Sequence, residues 1–467
     1  MSHYLFPSRG DMPNSRPNVV MFRRIIFTSL AFTFLTVLCF ITLTVNGTLN
    51  IWFSRSGSTS ESLFSLSSFD SDIHFENLRL RRSTSKLDVR IAYFIQVSTS
   101  NLHLFPRLLC NLYDTEHVYA VHFDCPCNQS AVDSIVKAIE LGNFPNIHII
   151  PHETLTYSGI SLVLNTLSAM TVLLKYPAGT SNQKEWDFFI NLSGSDYPLL
   201  TPCDQAKVLG EALSMIHNST INFLQMFEHH DSDYRRSLLY LDPALTMNSL
   251  VSENCKEREA LKPVQVHPFQ HNFNFTLYKA EAWMILSRET VKYLTCESFP
   301  RWMLASFVNT VSSPEHYFVT VLKSSSIWKN TIYPFAFRYV RWIHPKLPRV
   351  STQHPFELDL HEDLFWDDIY ESGCWFARKF SQQDSLLQSR IDSEIAGLNS
   401  TLLKDLFQSV TLEKSFSIEL LSKKKQFLED RSLRKYFCSS PTSLSYHLNR
   451  SLETMRALIT RHFSVII

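Results

Sequence analysis

Glycine is scarce in this chain: ten residues in 467, and no G-x-G anywhere. That removes the glycine-rich loop with which many nucleotide-binding folds wrap backbone N–H groups around phosphates, so any diphosphate has to be gripped by side chains. Net charge is also lacking. The 44 Lys and Arg balance 44 Asp and Glu, and there is no polybasic run, which excludes the electrostatic footprint of a nucleic-acid binder. The pair Cys125-Pro126-Cys127 has neither a second C-x-x-C nor a nearby histidine ligand. It therefore reads as structural rather than as half of a metal centre.

What is present begins with the apolar run IIFTSLAFTFLTVLCFITLTV, residues 25–45, uncharged and close to the roughly 20 residues that cross a bilayer as a helix. It has no A-x-A-like end of the kind a cleaved signal peptide carries. Arg9, Arg16, Arg23 and Arg24 all precede it, so the positive-inside rule puts a tail (1–24) in the cytosol and everything after Asn46 on the lumenal side of a type II anchor. Of nine cysteines, Cys39 lies within the run. The other eight (Cys110, Cys125, Cys127, Cys203, Cys255, Cys296, Cys374, Cys438) form an even set suited to disulfides in an oxidising compartment. Sequons at Asn46, Asn128, Asn191, Asn218, Asn274, Asn399 and Asn449 agree with that side, and several are expected to carry glycans. Residues 46–87 are rich in Ser, Thr and charge, too polar to build a core, and read as a flexible stem.

From about residue 88 the pattern changes. VRIAYFIQV (89–97), VYAVHF (118–123), IHII and WDFFINL (186–192) are strand-like, and helical stretches such as SAVDSIVKAIEL and SLVLNTLSAMTVLLKY separate them. Strand and helix taking turns predict an α/β domain with a mostly parallel central sheet. In such sheets ligands bind beyond the carboxyl ends of the strands, where Asp124 and SGSDYP (193–198) fall.

Three residues stand out chemically. Glu315 follows Pro314 and is set among Tyr317, Phe318, Val319 and Val321. It reads either as an ordinary acid at a helix start, favoured by the dipole, or as a proton-transfer group whose pKa the apolar neighbours would raise. Arg378 and Lys379 are adjacent in SGCWFARKF and read either as solvated surface bases or as a planar fork and a point charge able to neutralise a diphosphate.

Taken together, VYAVHFD (118–124), LTYSGISLV (155–163), WDFFINLSGSDYPLLT (186–201), AWMILSRETVKYL (282–294), FVNTVSSPEHYFVTVL (307–322) and SGCWFARKF (372–380) resemble, in order and in kind, the core-2/I-branching family of glycosyltransferases. That family includes the peptide-O-xylosyltransferases and the plant arabinogalactan glucuronosyltransferases, and the plant-like members look nearest. The resemblance implies a nucleotide-sugar-binding fold of the GT-A kind over residues 88–400, in a single-pass type II protein of the Golgi membrane, with residues 401–467 as a helical C-terminal extension. It also implies an inverting transfer from a UDP-sugar to a hydroxyl of a glycan or glycoprotein, with no metal and no other cofactor. Residue by residue, Glu315 falls on the catalytic base and Arg378 and Lys379 on the bases that hold the diphosphate. Asp124 and Tyr157 fall beside the nucleotide. Asp196, Tyr197 and Trp283 fall on positions expected to orient substrate or structure. The donor stays open among glucuronic acid, xylose and N-acetylglucosamine, with the plant-like segments favouring glucuronic acid.

Two departures bear on specificity. YKAEAW brings Glu281 into a segment where relatives often have small residues or an acid, and RWIHP has Ile343 and His344 where plant-like members show an acidic Trp-Asp motif. Two other readings remain: a metal-dependent transferase using Asp231 and Asp233 in HHDSDY, and a membrane-tethered glycan-binding protein without turnover. A hydrolase is disfavoured, because no second carboxylate stands in recognisable partnership with Glu315.

Overall fold

In a computed structural model the described residues are 89–124, 127–178, 184–216, 220–227, 239–246, 262–264, 275–348, 354–395, 418–430 and 446–466. The expected tail, membrane span and stem lie outside them, as do Cys125, Cys255, Cys438, Asp231 and Asp233. No described helix is long and apolar enough to cross a membrane.

The strands in chain order are β1 Ile91–Val97, β2 Val118–Phe123, β3 Ile147–Ile149, β4 Phe188–Ser193, β5 Tyr197–Pro198, β6 Asn222–Met226, β7 Leu239–Leu241, β8 Lys262–Val264, β9 Ala280–Ser287, β10 Ile332–Tyr333, β11 Arg338–Val340 and β12 Phe376–Arg378. Seven of them form the central sheet in the order β10-β6-β9-β4-β1-β2-β3. β1 runs parallel to both β2 and β4, while β9 runs antiparallel to β4 and β6. The mostly parallel sheet expected from the alternating pattern is therefore present, with one reversed strand.

Its inner strands are apolar on both faces because helices cover both. In β1 and β2 every residue but Gln96 is buried, which is why IAYFIQV and VYAVHF read as continuous runs rather than alternating ones. One face packs on the helices Phe105–Leu112, Gln129–Leu141 and Pro202–Met215, and the other on Ile160–Lys175, Arg288–Cys296 and Ser313–Ser324. Local chemistry sets the helix starts. Asn128 accepts from the Ala131 N–H, Thr201 from Asp204 with Pro202 in the first turn, and Ser287 from Thr290.

A second sheet, β11-β12-β5, lies beside the first. The C-terminal helix Tyr446–Ile466 braces it: the Trp375 indole N–H donates to Ser451 Oγ at 2.7 Å, and Leu448, Met455 and Ile459 join the same core as β1 and β2. Gly373 has a φ of +63°, and a Cβ there would meet Arg450 O at 2.9 Å, so only glycine fits between the strand and this helix.

Cys203 is disulfide-bonded, whereas Cys110, Cys296 and Cys374 carry free thiols. Burial pushes the Cys110 thiol up to about 11 and that of Cys374 to about 12, which marks both as inert packing groups. One sequon is excluded. Asn191 is 2% exposed and sits inside the sheet, its Nδ2 donating to Ala282 O and its Oδ1 accepting from Met284 N, both at 2.8 Å. Asn128 and Asn449 are exposed.

Candidate active site

The strand order reverses at β1, with β2 and β3 on one side and β4 on the other. Connections that leave in opposite directions open a crevice at that point, and a cleft of about 420 Å³ lies there. Its floor is made by Gln96, Val97, His122, Asp124, Asn191 and Ser193 at the carboxyl ends of β1, β2 and β4. Because β9 is reversed, its amino end, with Glu281 and Trp283, faces the same cleft. The first turn of Ser313–Ser324 and the end of β12 supply the opposite wall with Glu315, Arg378 and Lys379. Residues as far apart in sequence as Gln96 and Lys379 thus converge.

Glu315 is placed by an unusual helix start. Ser312 has a φ of +56° and Ser158, on the facing loop, one of +69°. Ser158 Oγ donates to Ser312 Oγ at 3.1 Å, and the Ser313 N–H donates to Ser158 O at 3.2 Å. Two non-glycine residues in the left-handed region at one contact are strain held by the surrounding packing, and the result is an acid aimed into the cleft. The apolar enclosure expected of Glu315 is not found. Tyr317, Val319 and Val321 point into the core, and of the four neighbours Phe318 lines the cleft. The Glu315 side chain is 38% exposed, with Lys279 Nζ at 3.4 Å from its Oε2. A part-exposed pair of this kind holds little energy and opens readily to a substrate.

Arg378 is held on two sides. Asp196 Oδ2 accepts from its Nη1 at 3.4 Å, and the Trp283 ring lies 4.3 Å from its Cζ. Arg338, which the motifs did not single out, shares both partners: its Nη1 donates to Asp196 Oδ1 at 2.9 Å, and its Cζ lies 5.0 Å from the same ring. Burial pulls the Arg338 guanidinium down, opposed by Asp196. Asp196 also accepts from the Ser193 N–H, and Gly194 between them has no room for a Cβ, which would stand 2.5 Å from Asn101 Oδ1. Lys379 lines the cleft and has no ion pair among the described residues.

Asp124 and Tyr157 also line the cleft. Asp124 is 2% exposed and accepts from the Leu155 N–H at 3.0 Å, while Tyr157 is 50% exposed on the rim, 5.8 Å from the His354 ring. Burial pulls the imidazole of His122 down to about 3, so it enters the floor as a neutral ring. Asp196 and Tyr197 stand behind the wall. Tyr197 is buried and donates to Asp392 Oδ1 at 2.7 Å, and both Arg107 and Asn111 donate to its hydroxyl.

Glu281 is the second carboxylate that sequence reading did not place beside Glu315. It is part-buried and within electrostatic reach of Arg338, Arg378, Asp196 and Glu315; desolvation raises its carboxyl above the ordinary value, and the two arginines oppose that. Among the described residues no group of three His, Cys, Asp or Glu is placed to hold a metal ion.

A cleft at the switch point of a mostly parallel sheet, with acids on its floor and bases on its wall, defines an α/β protein that binds its ligand beyond the strand ends. Residues 91–361 match the family model described as Core-2/I-Branching enzyme, and the chain belongs to that family. It is 32% identical over 317 residues to beta-glucuronosyltransferase GlcAT14A of Arabidopsis thaliana, covering 66% of this chain and 64% of that protein. To beta-glucuronosyltransferase GlcAT14B of the same plant it is 30% identical, covering 73% of this chain and 76% of that one. Xylosyltransferase 2 of Rattus norvegicus is 27% identical over 54% of this chain and 27% of its own length. A solved structure of S. aureus TarS 1-349 in complex with UDP is similar at 12% identity over 79% of this chain and 90% of that one, with a TM-score of 0.25.

Proposed function

We propose that this protein is an inverting, metal-independent β-glycosyltransferase that moves a sugar from a UDP-sugar to a hydroxyl of a glycan or glycoprotein, acting in the Golgi lumen from a single N-terminal anchor. The observation that carries the reading is the meeting in one cleft of an accessible carboxylate, Glu315, with an adjacent Arg378 and Lys379. Names of relatives that transfer glucuronic acid, xylose or N-acetylglucosamine support the reaction class.

In this reading Glu315 leaves Lys279 and takes the proton from the acceptor hydroxyl as that oxygen attacks C1 of the sugar. The C1–O bond to UDP breaks on the opposite face, and the charge that develops on the diphosphate is met by Arg378 and Lys379. Asp196 and Trp283 contribute by holding Arg378 before the reaction begins, so little reorganisation is needed. Asp124 and Tyr157 flank the nucleotide.

The test is UDP release by the full chain, offered UDP-glucuronic acid, UDP-xylose and UDP-N-acetylglucosamine in EDTA with and without glycan acceptors, beside Glu315→Gln. Acceptor-dependent release that persists in EDTA and falls by roughly 10²–10⁴ in the variant is expected. Release that needs manganese and ignores Glu315 would move the chemistry to Asp231 and Asp233. Binding of glycans without release would make the chain a tethered binding protein.

A further inference from the structure

Resting on that reading, we infer that Glu281 reads the transferred sugar and selects a neutral sugar over a uronic acid. Its place follows from the strand that carries it. β9 shifts register against β6 between Ala280 and Met284, and this irregular stretch turns both Glu281 and Trp283 to one face, that of the cleft. Trp283 packs on Arg378 and Arg338, which fixes that face toward the diphosphate end of the cleft. Asn191 clamps the backbone between and beyond them through Ala282 O and Met284 N, so Glu281 is held on a rigid element.

The charges around Glu281 locate it along the donor. It lies within electrostatic reach of Arg378, assigned to the diphosphate, and of Glu315, assigned to the acceptor proton. The ring that travels from diphosphate to acceptor occupies the space between those two groups, and Glu281 borders it.

What Glu281 lacks defines what it takes. Among the described residues no hydrogen bond or ion pair is made by its carboxylate, which is partly exposed to the cleft. Ionised, it is an acceptor only, with lone pairs open to the donors a ligand brings. Hydroxyl groups of a pentose or an N-acetylhexosamine donate to it directly. A uronic acid instead brings a second carboxylate beside Glu281, Asp196 and Glu315. Of the cations nearby, Arg338 and Arg378 are turned to Asp196 and Lys279 to Glu315, and Lys379 is assigned to the diphosphate. Burial raises the Glu281 carboxyl, Asp196 and Glu315 raise it further, and Arg338 and Arg378 lower it. A uronate beside it adds to the upward push, so discrimination weakens as pH falls and Glu281 takes up a proton.

The experiment is calorimetric binding of UDP, UDP-xylose, UDP-N-acetylglucosamine and UDP-glucuronic acid to the full chain at pH 7.5 and 5.5, repeated with Glu281→Gln and Glu281→Ser. In the unaltered protein at pH 7.5, one of the neutral donors is expected to bind at least about tenfold tighter than UDP-glucuronic acid, with a smaller ratio at pH 5.5. Glu281→Gln is expected to leave UDP affinity within about twofold while removing most of that ratio at both pH values. Tightest binding of UDP-glucuronic acid by the unaltered protein overturns the inference. So does an equal shift of UDP and every UDP-sugar in both variants, which would mean a structural role. Absence of UDP binding by the unaltered protein is a separate result and sinks the nucleotide-sugar reading itself.

Discussion

Asp196 holds two guanidiniums on one carboxylate, and both its side chain and that of Arg338 are almost wholly out of solvent. Breaking a buried pair by removing one partner leaves the other charge uncompensated, which costs about 3–5 kcal/mol. Asp196→Asn is therefore expected to lower the stability measured by urea unfolding by about that amount, and to weaken UDP binding because Arg378 loses its anchor. Weaker binding with unchanged stability would instead mean that Asp196 touches the ligand itself. Trp283 offers a milder probe. Its ring contacts Arg378 and Arg338 through the π face, an interaction of about 0.5–2 kcal/mol, so Trp283→Leu is expected to keep the fold and raise the KM for the donor several-fold, with a smaller effect on kcat. At this scale the sequence was informative about residue type and blind to partnership. Glu315, Arg378, Lys379, Asp124 and Tyr157 were legible because motifs carry them, and all line one cleft. Arg338 and Lys279 were not, since an arginine in FAFRYV and a lysine in YKAEAW acquire meaning only when folding brings Asp196 and Glu315 against them. The apolar neighbours of Glu315 misled for a related reason: on a helix, successive residues face different ways, so Tyr317, Val319 and Val321 go to the core while the acid goes to the cleft.

Among the elements, β9 and the helix Ile418–Glu429 show what pattern reading finds and misses. The alternation of strand and helix through β4 gave the parallel half of the sheet, because each strand is apolar on both faces. The reversal of β9 had no such signature, since a strand's direction depends on its connections and not on its composition. Yet that reversal brings Glu281 and Trp283 to the ligand edge. The lysine-rich KKK segment read as helical and is, but its middle residue is buried: Lys424 Nζ donates to the carbonyls of Cys110 and Asn111 at the end of the helix Phe105–Leu112. A cation there satisfies carbonyls that a helix end leaves open. Burial pulls its pKa from 10.5 to about 8. Between those values the unfolded chain holds a proton that the folded protein has given up, so stability rises with pH across this window, by about 3 kcal/mol in total. Below pH 8 the full cost of burying the charge is present. The Cys110 thiol, raised by burial, works in the opposite sense as pH rises, so the clean measurement is a difference. Unfolding free energies of the unaltered protein and of Lys424→Met, taken at pH 7.5 and 10, are expected to diverge in favour of the unaltered protein at the higher pH. Equal changes in both would remove Lys424 from the account.

For the whole molecule, the question is why a site made by residues 96–379 needs the helix Tyr446–Ile466. Sequence pattern made 401–467 a helical extension after a domain ending near 400, because nothing in its composition ties it to the motifs before it. In the structure its apolar face completes the core. Burying Leu448, Met455 and Ile459 at roughly 1.5–3 kcal/mol each is comparable with the 5–15 kcal/mol that separates a typical folded protein from its unfolded chain. The helix also acts on the site at a distance. His447 ring nitrogens lie 3.0 Å from Tyr370 O and 2.7 Å from Cys374 O, and Ser451 accepts from the Trp375 indole. Trp375 leads into β12, whose last residue is Arg378. Truncation at residue 445 is therefore expected to abolish cooperative thermal unfolding, which by itself would say little about function. Ser451→Ala is the informative companion. It leaves the Trp375 indole N–H buried and unpaired at a cost of about 1–3 kcal/mol, small enough for the protein to stay folded. If the C-terminal helix positions the diphosphate cations, this variant binds UDP more weakly while its affinity for glycan acceptor is unchanged; equal loss of both, or of neither, would reduce the helix to packing alone.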